Sequence, residues 1–384
     1  MKRAIFLLLA GAGLMVADSW ATMEPMFTAR HGTTSAAACN AIFTIAGSSG
    51  AANEAFDPVA NVWRSRANMP VTRSGVSSGV VNNRIYVFGG TTDGNLNYEY
   101  DPSADSWSTR ALMPTARYEI ASAVLNGKVF AIGGKVGSGV TAVMEIYDPA
   151  TDTWTSGPSM PTPRAAAGAA VVGSKIYVMG GYTAAMQFLN IHEVYDTMTH
   201  AWSTATSMPT NRGCHVCAAI GTLIYVISGL NGSTHLPVNE VYDTEHDTWQ
   251  AKAPIPTPRK GAGCASLGNK IYVIGGSNSE YLKVCEEYTP DIVGVGEQGG
   301  LECNDHGFGV MMTSRQVTLS SRLTCGTRIR ITLIDITGRI VAEWDRTMTR
   351  TMQLQTKTVF PKGIYFLRLQ DSDLDIVIKT ICIK

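Results

Sequence analysis

From about residue 30 to 290 the chain sets short apolar runs among polar, turn-forming stretches at a regular spacing. Runs such as IYVFGG (85–90), VFAIGG (129–134), IYVMGG (176–181), IYVISG (224–229) and IYVIGG (271–276) are brief, apolar throughout and closed by a small pair. A run of that kind predicts a strand buried on both faces, where an alternating one would be buried on one face only. The same landmarks surround each run. Trp63, Trp107, Trp154, Trp202 and Trp249 follow one another at intervals of 44, 47, 48 and 47 residues. Seven residues before them stand Phe56, Tyr100, Tyr147, Tyr195 and Tyr242, and ten residues after them Arg73, Arg117, Arg164, Arg212 and Arg259. Turns of the DPATDTW type lie between aromatic and Trp, with Asp and Pro where a tight reversal needs them.

A repeat of this length supplies four strands, and such units pack as blades around a central axis. The inner strand pair occurs six times, from residues 34–47 to 264–276. The sixth copy continues to VCEEYTP (284–290), but Val295 stands where a Trp is due, seven residues past Tyr288. The missing part is at the other end, in DSWATMEPMFTAR (18–30). Trp20, Met26 and Arg30 have the offsets of every other copy, and Trp20 precedes Trp63 by 43 residues. The first segment is therefore expected to form the outermost strand of the last blade, which closes the ring and removes an open edge. The Gly-Gly, Tyr and Trp spacing over residues 20–290 resembles the kelch repeat. That resemblance implies an all-β, six-bladed kelch β-propeller closed by an N-terminal strand.

The two ends read differently. Met1-Lys2-Arg3 is basic, residues 4–16 are apolar, and small residues follow at Ala17, Ser19 and Ala21. This is the layout of a secretory signal peptide, too short to span a bilayer, with cleavage expected after Ala17. Residues 293–312 are glycine-rich and read as a linker. Beyond them, strand-like runs at 328–335, 340–344, 363–370 and 375–384 predict a small C-terminal β-sandwich over 313–384. LIDITGRIV (333–341), KGIYFLRL (362–369) and IKTICIK (378–384) resemble the C-terminal sorting domain of the type IX secretion system. That resemblance implies delivery to the outside of a Gram-negative outer membrane, with the secretion machinery as a partner. The domains expected are 1–17 signal peptide, 18–292 propeller, 293–312 linker and 313–384 sorting domain.

Composition narrows the partners. Lys plus Arg and Asp plus Glu are both 31, so no basic excess argues for nucleic acid or an anionic membrane surface. No later segment is long and apolar enough for a transmembrane helix. Eight cysteines in an exported chain are free to form disulfides, in pairings the sequence leaves open.

In kelch propellers two sets of loops meet at one mouth of the channel: those entering each inner strand and those following each Gly-Gly. The first set carries Arg30, Arg73, Arg117, Arg164, Arg212 and Arg259. A residue at one offset in all copies is most simply part of the repeat, so these arginines are read as structural, bonding carbonyls between blades. The same reading covers Trp20 and the five later tryptophans. Differences between copies say more. The span from second glycine to aromatic is 9, 10, 13, 14, 13 and 12 residues, so blades three to six have longer loops and the mouth should be lopsided. Besides Tyr281, those loops hold Lys135, Tyr182, Asn231, His235 and Asn278, joined by Tyr118, Glu119, His215 and Lys260 from the other set. These nine residues, read as exposed, are the candidate ligand-binding surface.

Catalytic chemistry is thin. In CHVC (214–217), residues three apart on a strand face opposite ways, so one ion does not readily take both thiols. No metal or cofactor is expected. The reading is an exported binding module that presents its mouth to an extracellular protein or glycan. The alternative is a carbohydrate-active enzyme of the sialic acid mutarotase or epimerase kind, using Glu119, Arg117 or a histidine as acid and base.

Overall fold

The structure is a computed structural model. It describes residues 18–48 and 50–290, together with the residues of seven strands between 308 and 383. The expected signal peptide (1–17) and most of the expected linker lie outside the described residues. Two compact units result, one over Val16–Asp291 and one that includes Ile292–Lys384.

The first unit is a six-bladed β-propeller of four-stranded antiparallel sheets. Blade one is Thr34–Ala38, Ala41–Ile45, Asn53–Asp57 and Val62–Arg66, in that order from the axis outward. Blades two to five repeat the plan, with inner strands Val76–Val81, Ala121–Leu125, Gly168–Val172 and Val216–Ile220. The second strand of each blade is the apolar run seen in the sequence. In Ile85, Val87, Ile176, Val178, Ile271 and Val273 it is fully buried, since neighbouring blades cover both of its faces. The small pair after it is a geometric necessity. Gly181 has φ of 99° and its missing Cβ would sit 2.6 Å from the Ala165 carbonyl of the same blade. Blade five has Ser228 in the first of these positions at φ of 60°, and its hydroxyl lies 2.7 Å from the Arg259 carbonyl of blade six.

Blade six closes the ring with the first segment. Gly263–Leu267, Lys270–Ile274 and Cys285–Thr289 are completed by Ser19–Met23, antiparallel, with Trp20 opposite Tyr288. That register equals Trp63 opposite Phe56 and Trp249 opposite Tyr242. The indole N–H of Trp20 donates to Ala253 O at 2.9 Å, across from blade five, as those of Trp107 and Trp154 donate to Ala67 O and Ala111 O. Asp18 completes the match. Its carboxylate accepts from the Tyr288 hydroxyl at 2.8 Å and from Ala253 N, while Asp152 accepts from Tyr147 and Ala111 N in the same way. The seam therefore uses the same bonds as the other blade junctions.

The second unit has two antiparallel sheets. One orders Phe308–Thr313, Gln316–Ser321 and Thr351–Gln355; the other orders Ile340–Thr347, Arg328–Asp335, Gly363–Gln370 and Asp375–Ile383. The second sheet matches the runs read from the sequence. The first was not foreseen, and its strand Phe308–Thr313 lies mostly inside the span assigned to the linker. Its residues, FGVMMT, lack the alternation that marked the others.

Candidate functional site

The six arginines are all essentially buried, at 0–1 % exposure, and their side chains stay within their own blades. Each reaches a second-strand carbonyl or the small residue after it, as Arg30 does Thr44 O at 2.9 Å and Arg259 does Val273 O at 2.7 Å. Five also face a buried third-strand carboxylate: Arg30–Glu54, Arg117–Glu145, Arg164–Glu193, Arg212–Glu240 and Arg259–Glu286. Contrary to the sequence-based reading, the bond between blades comes from the arginine main chain. Gly90 N donates to Arg117 O, Gly134 N to Arg164 O, and across the seam Gly276 N to Arg30 O. Arginine side chains are long enough to turn back into their own sheet, which offset alone does not reveal. Blade two departs from this pattern. Tyr98 replaces the glutamate, Arg73 lies 5.3 Å over its ring, and burial lowers the Arg73 guanidinium to about 10.

Two residues past each arginine the backbone turns left-handed: Gly32, Gly75, Glu119, Ala166, Cys214 and Gly261 have φ between 50° and 68°. Each of these amides donates to the matching carbonyl of the preceding blade. Gly75 N reaches Gly32 O at 2.8 Å, then Glu119, Ala166, Cys214 and Gly261 follow in turn, and Gly32 N returns to Gly261 O at 2.8 Å. The result is a closed ring of six backbone hydrogen bonds at the floor of the mouth. In blades one, two and six its members are glycines. Blades three, four and five place Glu119, Ala166 and Cys214 there, against the steric preference of L-residues.

The walls of the mouth are unequal. Blades one and two turn at once, where Ser48 N donates to His31 O and Thr91 N to Ser74 O. Blade three raises the hairpin Lys135–Val136/Gly139–Val140 and blade five the hairpin Leu230–Asn231/Thr234–His235. Bridges tie the loops of blades three to six to the entering loops: Tyr118 with Lys135, Ala165 with Tyr182, Gly213 with Leu230, and Lys260 with Ser277. Beneath them Ala165, Ala166, Tyr182 and Phe188 form a small apolar core, packed by Val140, Cys214 and Leu230. This wall is stiff because it has a core of its own.

The nine candidate residues divide accordingly. Tyr118 and Lys135 stand together on blade three, the ammonium 5.8 Å from the ring centre. Lys260 is half-buried and Asn231 is exposed. Asn278 is half-buried, and its side-chain oxygen accepts from Ser279 N at 2.7 Å, capping its own loop. His235 is half-buried with Nε2 out of contact with any partner. Glu119 is half-buried and its carboxylate accepts from the Tyr182 hydroxyl.

Two expectations fail. Tyr182 is buried at 4 % exposure because its ring belongs to the wall's apolar core; burial and the Glu119 carboxylate push its phenol up. His215 is buried between blades four and five, where its Nε2 accepts from Gly168 N at 3.2 Å. Burial and the Arg212 cation hold its imidazole down to about 3. Neither offers its side chain on an open rim.

The structure adds a contact that repeat logic passed over. His31 stacks on Tyr281, ring centres 4.7 Å apart, and its Nδ1 lies 2.9 Å from the Ser48 hydroxyl. A histidine directly after the arginine in blade one alone was the available signal. As for metals, CHVC gathers no ligand set. Among the described residues three such groups converge only at Asp243, Glu245 and His246, in an exposed turn. The thiols of Cys39, Cys214, Cys217, Cys264 and Cys285 are free. The Cys214 thiol is pushed up to about 12 by burial and by Glu119, so it is no activated nucleophile.

Comparison with known proteins fits this geometry. The family described as the KLHDC2/KLHL20/DRC7 Kelch-repeats domain matches residues 32–203 and 155–291, and the Secretion system C-terminal sorting domain matches residues 313–384. No curated protein matches the chain. A solved structure described as "Structure of YjhT" superposes with a TM-score of 0.59 at 17% identity, over 69% of this chain and 96% of that one, a likeness of fold.

Proposed function

The chain belongs to the kelch-repeat family, and on that premise we propose that its propeller is a binding module whose mouth receives an extracellular protein or glycan. The C-terminal sorting domain indicates a secreted or cell-surface protein handled by the type IX secretion system, and no described helix is long and apolar enough to cross a membrane. The observation that carries the binding reading is the unequal mouth. A stiff wall on blades three to six, with its own apolar core, stands over a low side on blades one and two. Polar side chains mounted on such a wall lose little freedom when a ligand arrives. The test is a glycan and cell-surface protein array with the exported protein. A ligand found there should lose at least about tenfold affinity in a Lys135→Ala, Asn231→Ala, Lys260→Ala triple variant, since one or two polar contacts amount to that much. An unchanged affinity would move the site elsewhere.

One observation favours the enzymatic alternative. Glu119 holds a strained left-handed conformation at the floor of the mouth, and such strain gathers at functional sites. Arg117 is engaged by Glu145, so Glu119 would be the acid–base group. Its carboxylate meets Tyr182 and no histidine among the described residues. Anomer exchange in a panel of sugars, followed by NMR and abolished by Glu119→Gln, would decide for the enzyme.

A further inference from the structure

We propose that the sector of the mouth shared by blades five, six and one is an anion-receiving subsite. There Lys260, flanked by His31 and His235, takes the single carboxylate or sulfate group of an acidic sugar residue whose ring lies on Tyr281. This rests on the mouth being the ligand surface and names the chemistry it selects.

The placement follows from the backbone ring. His31 and Lys260 each stand one residue before ring members, Gly32 and Gly261, that are bonded to each other at 2.8 Å. The next ring member, Cys214, follows Gly213, which pairs with Leu230, and Leu230 pairs with His235 across the blade-five hairpin. Three nitrogen-bearing side chains thus come from consecutive ring positions to one sector. His31 commits Nδ1 to Ser48 and keeps Nε2 for a ligand. Among the described residues the Nε2 of His235, shielded from solvent, meets no hydrogen-bond partner, a polar atom awaiting one. The acid nearest in the ring, Glu119, is engaged by Tyr182, and the acid on the blade-six loop, Glu280, is exposed. Among the described residues Lys260 has no paired carboxylate, and it gives the sector a positive charge.

Both imidazoles are held below their ordinary range, first by burial and then by Lys260. They are neutral at pH 7 in the free protein. An anion beside them reverses the second influence, so binding draws in protons and tightens as pH falls. Tyr281 is half exposed and backed by the His31 ring, a flat apolar plate next to the charge. One central ammonium beside a flat face suits a sugar ring carrying one acidic group better than a run of acidic residues, which would call for several cations.

The test is calorimetry on the exported full chain at pH 7.5, 6.5 and 5.5 and constant ionic strength. The probes are a galacturonate oligosaccharide, a sulfated chondroitin oligosaccharide, a neutral galactan oligosaccharide and a hexaglutamate peptide. The expected result is binding of one or both acidic sugars, tightening about tenfold from pH 7.5 to 5.5 with net proton uptake. Lys260→Gln should weaken it at least about tenfold, and the His31→Asn, His235→Asn pair should flatten the pH dependence. Which acidic sugar binds tells carboxylate from sulfate. Equal binding of the galactan, binding of hexaglutamate in place of the sugars, or affinity indifferent to Lys260 would each overturn the subsite. A ligand from the array that depends on Lys135 and Asn231 but ignores Lys260 would overturn the subsite alone and leave the binding module standing.

Discussion

Replacing His192 with asparagine should remove much of the acid sensitivity of this propeller while leaving its stability near pH 7 almost unchanged. His192 is 1 % exposed in the third strand of blade four, edge-on to Tyr242 with ring centres 4.5 Å apart. Its Nδ1 lies 3.2 Å from Thr206 O, fourteen residues on. Asn53, Asn97 and Asn239 hold the equivalent place in blades one, two and five, and each donates to the carbonyl at that same offset. Asparagine is thus a tested occupant of the position. Burial drives the imidazole from 6.5 to about 4, outweighing the Thr206 bond, which acts the other way. The unfolded chain takes up its proton near pH 6.5 and the native chain only near 4. The contribution is complete above 6.5 and disappears as pH falls toward 4. At pH 5, about 1.5 units below the unfolded value and still above the native one, the loss is about 2 kcal/mol at 1.36 kcal/mol per unit. His215, held at about 3, adds a similar amount of its own. Urea unfolding followed by tryptophan fluorescence at pH 7 and pH 5 should show a fall of about 4 kcal/mol in the natural chain from these two histidines, and about half of that in His192→Asn. An identical fall in both proteins would refute the reasoning.

Other expectations follow from the frame. Arg164→Met strands the buried Glu193 carboxylate and should cost about 3–5 kcal/mol, whereas Arg73→Met leaves behind only the exposed Asp93 and should cost about 1–2, both by urea unfolding. Trp20→Ala removes a half-buried indole, its 4.9 Å contact with Tyr288 and the bond to Ala253. It should cost about 2–3 kcal/mol in calorimetry and increase light scattering on heating as the edge Cys285–Thr289 opens. Gly75→Ala should cost about 1 kcal/mol, the left-handed penalty alone, because its Cβ would meet nothing closer than Tyr118 at 3.4 Å. Gly32→Ala should cost clearly more, since its Cβ would fall 2.9 Å from Gly75 N; equal losses would contradict the close approach.

Much of the fold was legible because a repeat reports its own errors. The absent Trp after Tyr288 and the surplus Trp20 pointed to each other, and the seam pairs them. The Arg–Glu frame was also open to view, as a glutamate two residues before the aromatic in every blade but the second. Blade two exchanges Glu for Tyr98 together with Thr for Val71, and in blades three to six that threonine bonds the glutamate. Side-chain direction was not legible. Spacing put Tyr182 and His215 on mouth loops, but the apolar core around Tyr182 and the amide of Gly168 turn them inward. The stack of His31 on Tyr281 joins blades one and six across the whole length of the propeller sequence, where repeat arithmetic has nothing to compare.

The six-membered circle of amides at the floor of the mouth has no beginning. Every residue in it gives one bond and receives one in the same rotational sense, and the junction where the chain's ends meet is bonded like the other five. The molecule is thereby indifferent to where its polypeptide starts. A rearranged gene that joins residue 290 to residue 18 through a short spacer and opens the chain in the exposed turn after Asp148 should fold to the same wheel.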